Sequence, residues 1–83
     1  IGGKMVTRAY ILIETSVGKN RDVGSSLREL PGIEKVDNVT GPYDIIAVVE
    51  APDLNSIGDL VTSRIHVIPG IVRTVTCLSV GTS

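Results

Sequence analysis

A chain of 83 residues, 42% of them hydrophobic and with a mean hydropathy of +0.31, is one small domain. It carries more apolar surface than its core absorbs, because a body of this size buries only roughly 60–65% of its unfolded surface; the excess points to subunit contacts. Eight basic against nine acidic residues, two tyrosines and neither Phe nor Trp exclude the basic patch and stacking platform of a free-standing nucleic-acid binder.

One cysteine, Cys77, rules out an internal disulfide and a sequence-local zinc site. No signal peptide is visible and no apolar run is long enough to span a membrane. A cytoplasmic protein is the plain reading. Ile1 to Lys4, ahead of the single Met5, read as a tag remnant or short tail, so the domain is placed at residues 5–80 with a second tail at 81–83.

Met5 to Glu14 is dense in Val, Ile, Leu, Tyr and Thr, which is strand composition. Ala9, Ile11 and Ile13 alternate with Tyr10 and Leu12, so both faces are apolar and both are expected to be buried. From about Asn20 to Leu30, Val23, Leu27 and Leu30 recur at helical spacing, and Pro31-Gly32 ends the helix. Gly24 inside it costs about 1 kcal/mol against Ala, unless close packing on the sheet uses the missing side chain.

Ile33 to Thr40 alternates weakly among charges and suits an edge strand. Gly41-Pro42 supplies a turn, and Tyr43 to Glu50 repeats the two-faced apolar pattern of the first strand. Asp53 is placed to N-cap the next helix, whose apolar residues are Leu54, Ile57, Leu60, Val61 and Ile65. Pro69-Gly70 closes it, and Ile71 to Val80 forms a fourth strand.

Leu30-Pro31-Gly32-Ile33 recurs as Ile68-Pro69-Gly70-Ile71, an offset of 38 residues. The chain therefore reads as two strand-helix-strand units joined through Val39 to Asp44. Short links and right-handed crossovers predict an α+β, ferredoxin-like βαββαβ sandwich: a four-stranded antiparallel sheet with both helices on one face. Two helices leave the other face uncovered, which predicts at least a dimer.

Little in the chain points to catalysis. His66 and Cys77 cannot make a usual metal site from one chain, and no Walker or dinucleotide glycine pattern appears. His66 at a helix end suits the helix dipole, and Cys77 mid-strand suits packing. Most carboxylates fall on solvated faces or caps. Asp44 is the exception, a charge at the start of a central strand; it either serves a site or hydrogen-bonds the backbone of its own turn. Thr74 and Thr76 share one side of the last strand, and Arg8 and Arg73, embedded in strands, are expected in salt bridges or snorkelling at the sheet rim.

Gly41-Pro42-Tyr43-Asp44 after a weak second strand, followed by Pro69-Gly70-Ile71-Val72-Arg73-Thr74-Val75-Thr76, resembles the C-terminal effector domain of the Lrp/AsnC transcription regulators, often termed RAM. The likeness runs from Met5 to about Val80. It implies the ferredoxin-like fold, dimerisation through the sheet, and dimers assembled into rings of eight or ten chains. It also implies amino-acid effectors bound in clefts between dimers, with Thr40, Gly41, Tyr43 and Asp44 contributing from the turn and Thr74 and Thr76 lying close by.

Full regulators carry an N-terminal helix-turn-helix domain to which nothing here corresponds, so the resemblance implies a stand-alone effector module or a fragment. Pro42 also stands where the family usually has a polar residue. The expected function is a non-catalytic, oligomeric amino-acid-binding module, free of cofactor, that modulates full-length Lrp/AsnC regulators or an enzyme through protein contacts. A small dimeric ferredoxin-like-barrel enzyme of the monooxygenase type and a purely structural oligomerisation domain are the alternatives.

Overall fold

The computed structural model describes residues 6–80; Met5 and the two proposed tails lie outside them. The elements follow the expected order: β1 (Thr7–Thr15), α1 (Asn20–Arg28), β2 (Ile33–Asn38), β3 (Ile45–Ala51), α2 (Leu54–Leu60) continuing as a π-helical turn (Val61–Ile65), and β4 (Ile71–Leu78). The sheet is antiparallel with strand order β2-β3-β1-β4, so the fold is the ferredoxin-like α+β sandwich. β1 and β3, the two strands with apolar residues on both faces, take the central places.

Strand alternation divides the sheet into two unlike faces. Ala9, Ile11 and Ile13 of β1 and Ile45, Ala47 and Val49 of β3 are fully buried, and they pack under Val23, Leu27, Ile57, Val61, Ile65 and Ile68. The opposite face presents Tyr10, Leu12, Ile46, Val48, Val75 and Cys77 to solvent or partly so. The expected burial of β1 on both sides is thus met on the helix side alone within one chain. Charged pairs border this open face: Arg8 with Glu50, Arg73 with Glu14, and Lys35 with Asp37. Both strand-embedded arginines are in salt bridges, as charges within strands require.

Cys77, expected in a packed interior, is exposed on the open face, across from Tyr10. The register explains it: Cys77 is out of phase with Thr76, which pairs with the buried Ile11.

The second helix differs from the single α-helix its spacing suggests. Its buried residues Ile57, Val61 and Ile65 are four apart, and in an α-helix each step of four turns the chain about 40° past the previous side chain. Two such steps would carry Ile65 off the sheet. The underwound turn over Val61–Ile65, marked by the His66 N–H donating to Val61 O five residues back at 2.8 Å, returns it to the stripe. Thr62 Oγ1 donates to Gly58 O at 2.9 Å, a back-bond that favours bending. Leu54, assigned by spacing to the apolar stripe, is exposed. The Asp53 cap forms as expected, accepting from Ser56 N at 2.8 Å.

Gly70 fixes the approach to β4. Its φ of +102° is a left-handed value, and a Cβ there would lie 2.9 Å from Lys19 Cβ and 3.0 Å from Val23 Cγ2. Only glycine allows the turn before β4 to pass this close to the start of α1. Its carbonyl accepts from Ser16 N at 2.8 Å, tying the turn to the end of β1.

Candidate functional site

β2 ends at Asn38 and β3 begins at Ile45, so Val39 to Asp44 form a connection rather than strand ends. Gly41 sits at its tip with φ +143° and no heavy atom within 4 Å of where a Cβ would be. Thr40 and Gly41 are exposed, whereas Tyr43 and Asp44 are half-buried.

Asp44 is bonded to its surroundings on three sides. Its N–H donates to Ile13 O at 2.9 Å, and its carbonyl accepts from Val39 N at 2.9 Å. Its Oδ2 accepts from Thr15 N at 2.8 Å and from Thr15 Oγ1 at 3.2 Å. Alternation along β1 points Thr15 N toward β3, so the carboxylate stands where a ladder carbonyl would otherwise be the acceptor. The Asp44 carboxylate therefore bonds the end of β1 and, among the described residues, not the backbone of its own turn, which is tied to Asp44 through the main-chain carbonyl alone. Among the described residues Oδ1 accepts no hydrogen bond, and it is held in a fixed direction by the bonds on Oδ2.

Beside it, the Arg73 guanidinium lies 5.5 Å from the centre of the Tyr43 ring, within cation–π range. Arg73 Nε is 3.2 Å from Glu14 Oε1, and Glu14 pairs with Arg73 in the β1–β4 register. The cluster thus comprises Tyr43, Asp44, Thr15, Glu14 and Arg73. Glu14 and Thr15 were not legible as site residues, because nothing local to them marks the connection 29 positions later.

Thr74 and Thr76 are placed elsewhere. They pair with Ile13 and Ile11, whose side chains are buried beneath the helices, so both hydroxyls belong to the helix side. Thr74 Oγ1 is 2.7 Å from His66 Nε2, which ties the end of the π turn to β4. Arg73 points to the opposite face. The fold brings Thr40, Gly41, Tyr43 and Asp44 together and sets Thr74 and Thr76 apart from them across the sheet.

At the far end of the open face Arg8 donates to Glu50 Oε2 through Nε at 2.9 Å and also through Nη2. Glu50, with a smaller contribution from Tyr10, pushes the Arg8 guanidinium above its ordinary value. Among the described residues no three His, Cys, Asp or Glu side chains cluster to hold a metal ion, and no helix is long and apolar enough to cross a membrane.

Residues 8–82 match the family model described as the Lrp/AsnC ligand binding domain. The chain belongs to the Lrp/AsnC family. It is 34% identical over 73 residues to the HTH-type transcriptional regulator FL11 of Pyrococcus horikoshii, covering 84% of this chain and 46% of that protein. It thus spans about half the length of the curated relatives it matches. TTHA0845 from Thermus thermophilus shares the fold over nearly its whole length, with a TM-score of 0.88, 34% identity and coverage of 93% of this chain and 96% of that one. The Neisseria meningitidis transcriptional regulator NMB0573, solved as its L-Met complex, has a TM-score of 0.82 at 17% identity, over 90% of this chain and 50% of that one. As an Lrp/AsnC ligand-binding domain, the chain is an effector-binding module of the kind found in transcription regulators.

Proposed function

We propose that this domain is a non-catalytic sensor of a free amino acid, bound at the connection before β3 by Thr40, Gly41, Tyr43 and Asp44. The observation that carries the reading is the state of Asp44. One carboxylate oxygen is tied to Thr15 and the other is directed but unengaged among the described residues, which suits a ligand ammonium through a charge-assisted hydrogen bond. The exposed backbone around Gly41 offers N–H donors for the rest of a zwitterion. The L-Met complex of the Neisseria relative supports an amino acid as the ligand class.

A second copy of the chain covers the open face in this proposal. That face is apolar along β1, β3 and β4 and bordered by ion pairs of both signs, the pattern of an interface core with a polar rim. A site beside the rim couples occupancy to assembly, because a ligand that prefers one assembly state shifts the equilibrium toward it. Dimers then build the rings of eight or ten chains that the family resemblance implies, and the readout passes to full-length Lrp/AsnC regulators or an enzyme by protein contact. The structural alternative draws on the same bonds of Asp44, which fix the connection whether or not a ligand binds.

The test is the melting temperature against each of the twenty amino acids at millimolar concentration, with protein concentration fixed. A ligand at about 100 times its dissociation constant adds roughly 2.7 kcal/mol, well above detection for a domain of this size. A selective shift establishes the sensor and names its effector. No shift with any of the twenty overturns the amino-acid reading in favour of a domain that only assembles.

A further inference from the structure

The two arginines on the open face are engaged to different degrees. Arg8 directs both Nε and Nη2 at Glu50. Arg73 approaches its carboxylate, Glu14, with Nε at 3.2 Å, and among the described residues its two terminal nitrogens donate no hydrogen bond. These terminal N–H groups form the part of the guanidinium fork that matches a carboxylate most closely.

The backbone directs this fork to the site. Arg73 pairs with Glu14 on one side of β1, while Asp44 holds Thr15, the next residue of β1, on the other side. With strands about 4.8 Å apart, Arg73 and Asp44 flank a single strand. The Arg73 side chain leans back over it until the guanidinium is 5.5 Å from the ring of Tyr43, the residue before Asp44. The cationic fork thus lies over the ring of the residue that precedes Asp44, which puts a cation and a carboxylate at the same end of β1. Glu14 and Tyr43 hold the guanidinium in place.

We infer that Arg73 is the carboxylate-binding residue of the effector site, so that the site selects a zwitterion with Asp44 taking the ammonium and Arg73 the carboxylate. The inference rests on the amino-acid reading above and adds the residue that distinguishes an amino acid from an amine. It does not draw on Thr74 and Thr76, whose hydroxyls lie on the helix side of the sheet in the same chain. Glu14 serves as the counter-ion of Arg73 when no ligand is bound, and it keeps the fork oriented.

The experiment compares each of the twenty amino acids with its α-carboxamide, which keeps the ammonium and lacks the carboxylate. Binding is measured by calorimetry on the wild-type chain, Arg73→Gln and Arg73→Lys. The wild type is expected to prefer the effector amino acid over its amide by about ten- to a hundredfold, the range of a hydrogen-bonded charge pair. Arg73→Gln is expected to lose that preference by weakening the acid and leaving the amide unchanged. Arg73→Lys, a point charge without the fork, is expected to recover part of it. Melting temperatures of both variants should stay near wild type, because the Arg73 side chain is 58% exposed and surface ion pairs contribute little to stability.

Equal binding of acid and amide by the wild type overturns the assignment, as does an Arg73→Gln variant that keeps the preference or weakens acid and amide alike. A wild-type chain that binds none of the twenty overturns the amino-acid reading itself. The two failures are told apart before any variant is made.

Discussion

Replacing Asp44 by alanine removes the acceptor of the Thr15 N–H (2.8 Å) and of the Thr15 hydroxyl (3.2 Å), both part-buried. The hydroxyl can turn to another acceptor, but the backbone N–H cannot. Leaving such a donor unmet costs about 1–3 kcal/mol. The effect should reach the β1 end, the start of β3 and, through the bond from Val39 N to Asp44 O, the end of β2. We therefore expect Asp44→Ala to destabilise by about 2 kcal/mol, which at about 4–8 °C per kcal/mol for a domain of this size lowers the melting temperature by roughly 8–16 °C.

Asp44→Asn keeps an oxygen toward Thr15 and loses the charge assistance, roughly half the strength of the bond, so about 1 kcal/mol is expected. Thr15→Val removes the longer hydroxyl bond alone and should cost less than Asp44→Ala. The assay is urea unfolding at one fixed protein concentration, since assembly would otherwise enter the apparent stability. The midpoint should fall with the slope unchanged. The double variant Asp44→Ala/Thr15→Val should cost less than the sum of the singles, because both remove the same contact. An Asp44→Ala cost below about 0.5 kcal/mol, the level of an ordinary surface change, would refute the reasoning. The pair of variants also separates two roles of one side chain: Asp44→Asn should weaken ligand binding more than its loss of stability explains.

Two glycines offer opposite outcomes in the same measurement. Gly58 in α2 has no heavy atom within 4 Å of a Cβ, so Gly58→Ala should stabilise by about 0.5–1 kcal/mol through helix propensity. Gly70→Ala meets Lys19 and Val23 at a left-handed φ and should destabilise by more than about 1 kcal/mol, seen as a lowered urea midpoint. Asp53→Ala should lower the melting temperature at neutral pH by uncapping α2. The backbone N–H and then the hydroxyl of Ser56 hold the Asp53 carboxyl below its usual 3.8, so the cap's contribution is full above about pH 4 and is lost as pH falls through the lowered value. The wild-type to Asp53→Ala gap should accordingly narrow in acid. Finally, Cys77 is exposed in the single chain and lies on the face assigned to a second copy. A maleimide should label it slowly at high protein concentration and faster on dilution; labelling independent of concentration would place the assembly surface elsewhere.

Much of the fold was readable because its signals are local. Alternation in β1 and β3, the Pro-Gly stops and the Asp53 cap each depend on residues a few positions apart, and all were matched by the structure. Arg8 and Arg73 were readable as ion-paired because a charge inside a strand requires a partner. What was not readable depends on register. Thr74 and Thr76 are evidently on one side of β4, but which side follows only from their pairing with Ile13 and Ile11, and the same register puts Cys77 outside. The partner of Asp44 is 29 residues away, beyond any turn motif. Gly24 was expected to cost the helix stability unless close packing on the sheet used its missing side chain. It is buried, yet a Cβ there would meet the flexible end of Arg28 at 3.3 Å and Ile45 at an ordinary 4.0 Å, so contact with the sheet does not require the glycine.

The strand order β2-β3-β1-β4 has a consequence for how the chain comes together. β1 and β2 belong to the first repeat and β3 and β4 to the second, yet all three ladders (β1 with β3, β1 with β4, β2 with β3) join one repeat to the other. Among the described residues neither half contains a strand pairing of its own. Half a chain has no sheet to nucleate, so folding waits for contacts distant in sequence and proceeds slowly and as one cooperative event. To the docking of the two halves the covalent link at Thr40 to Pro42 contributes loop closure. Two polypeptides cut there should remain unfolded apart and reconstitute the domain when mixed, which makes this connection a natural place to split the protein into complementing fragments.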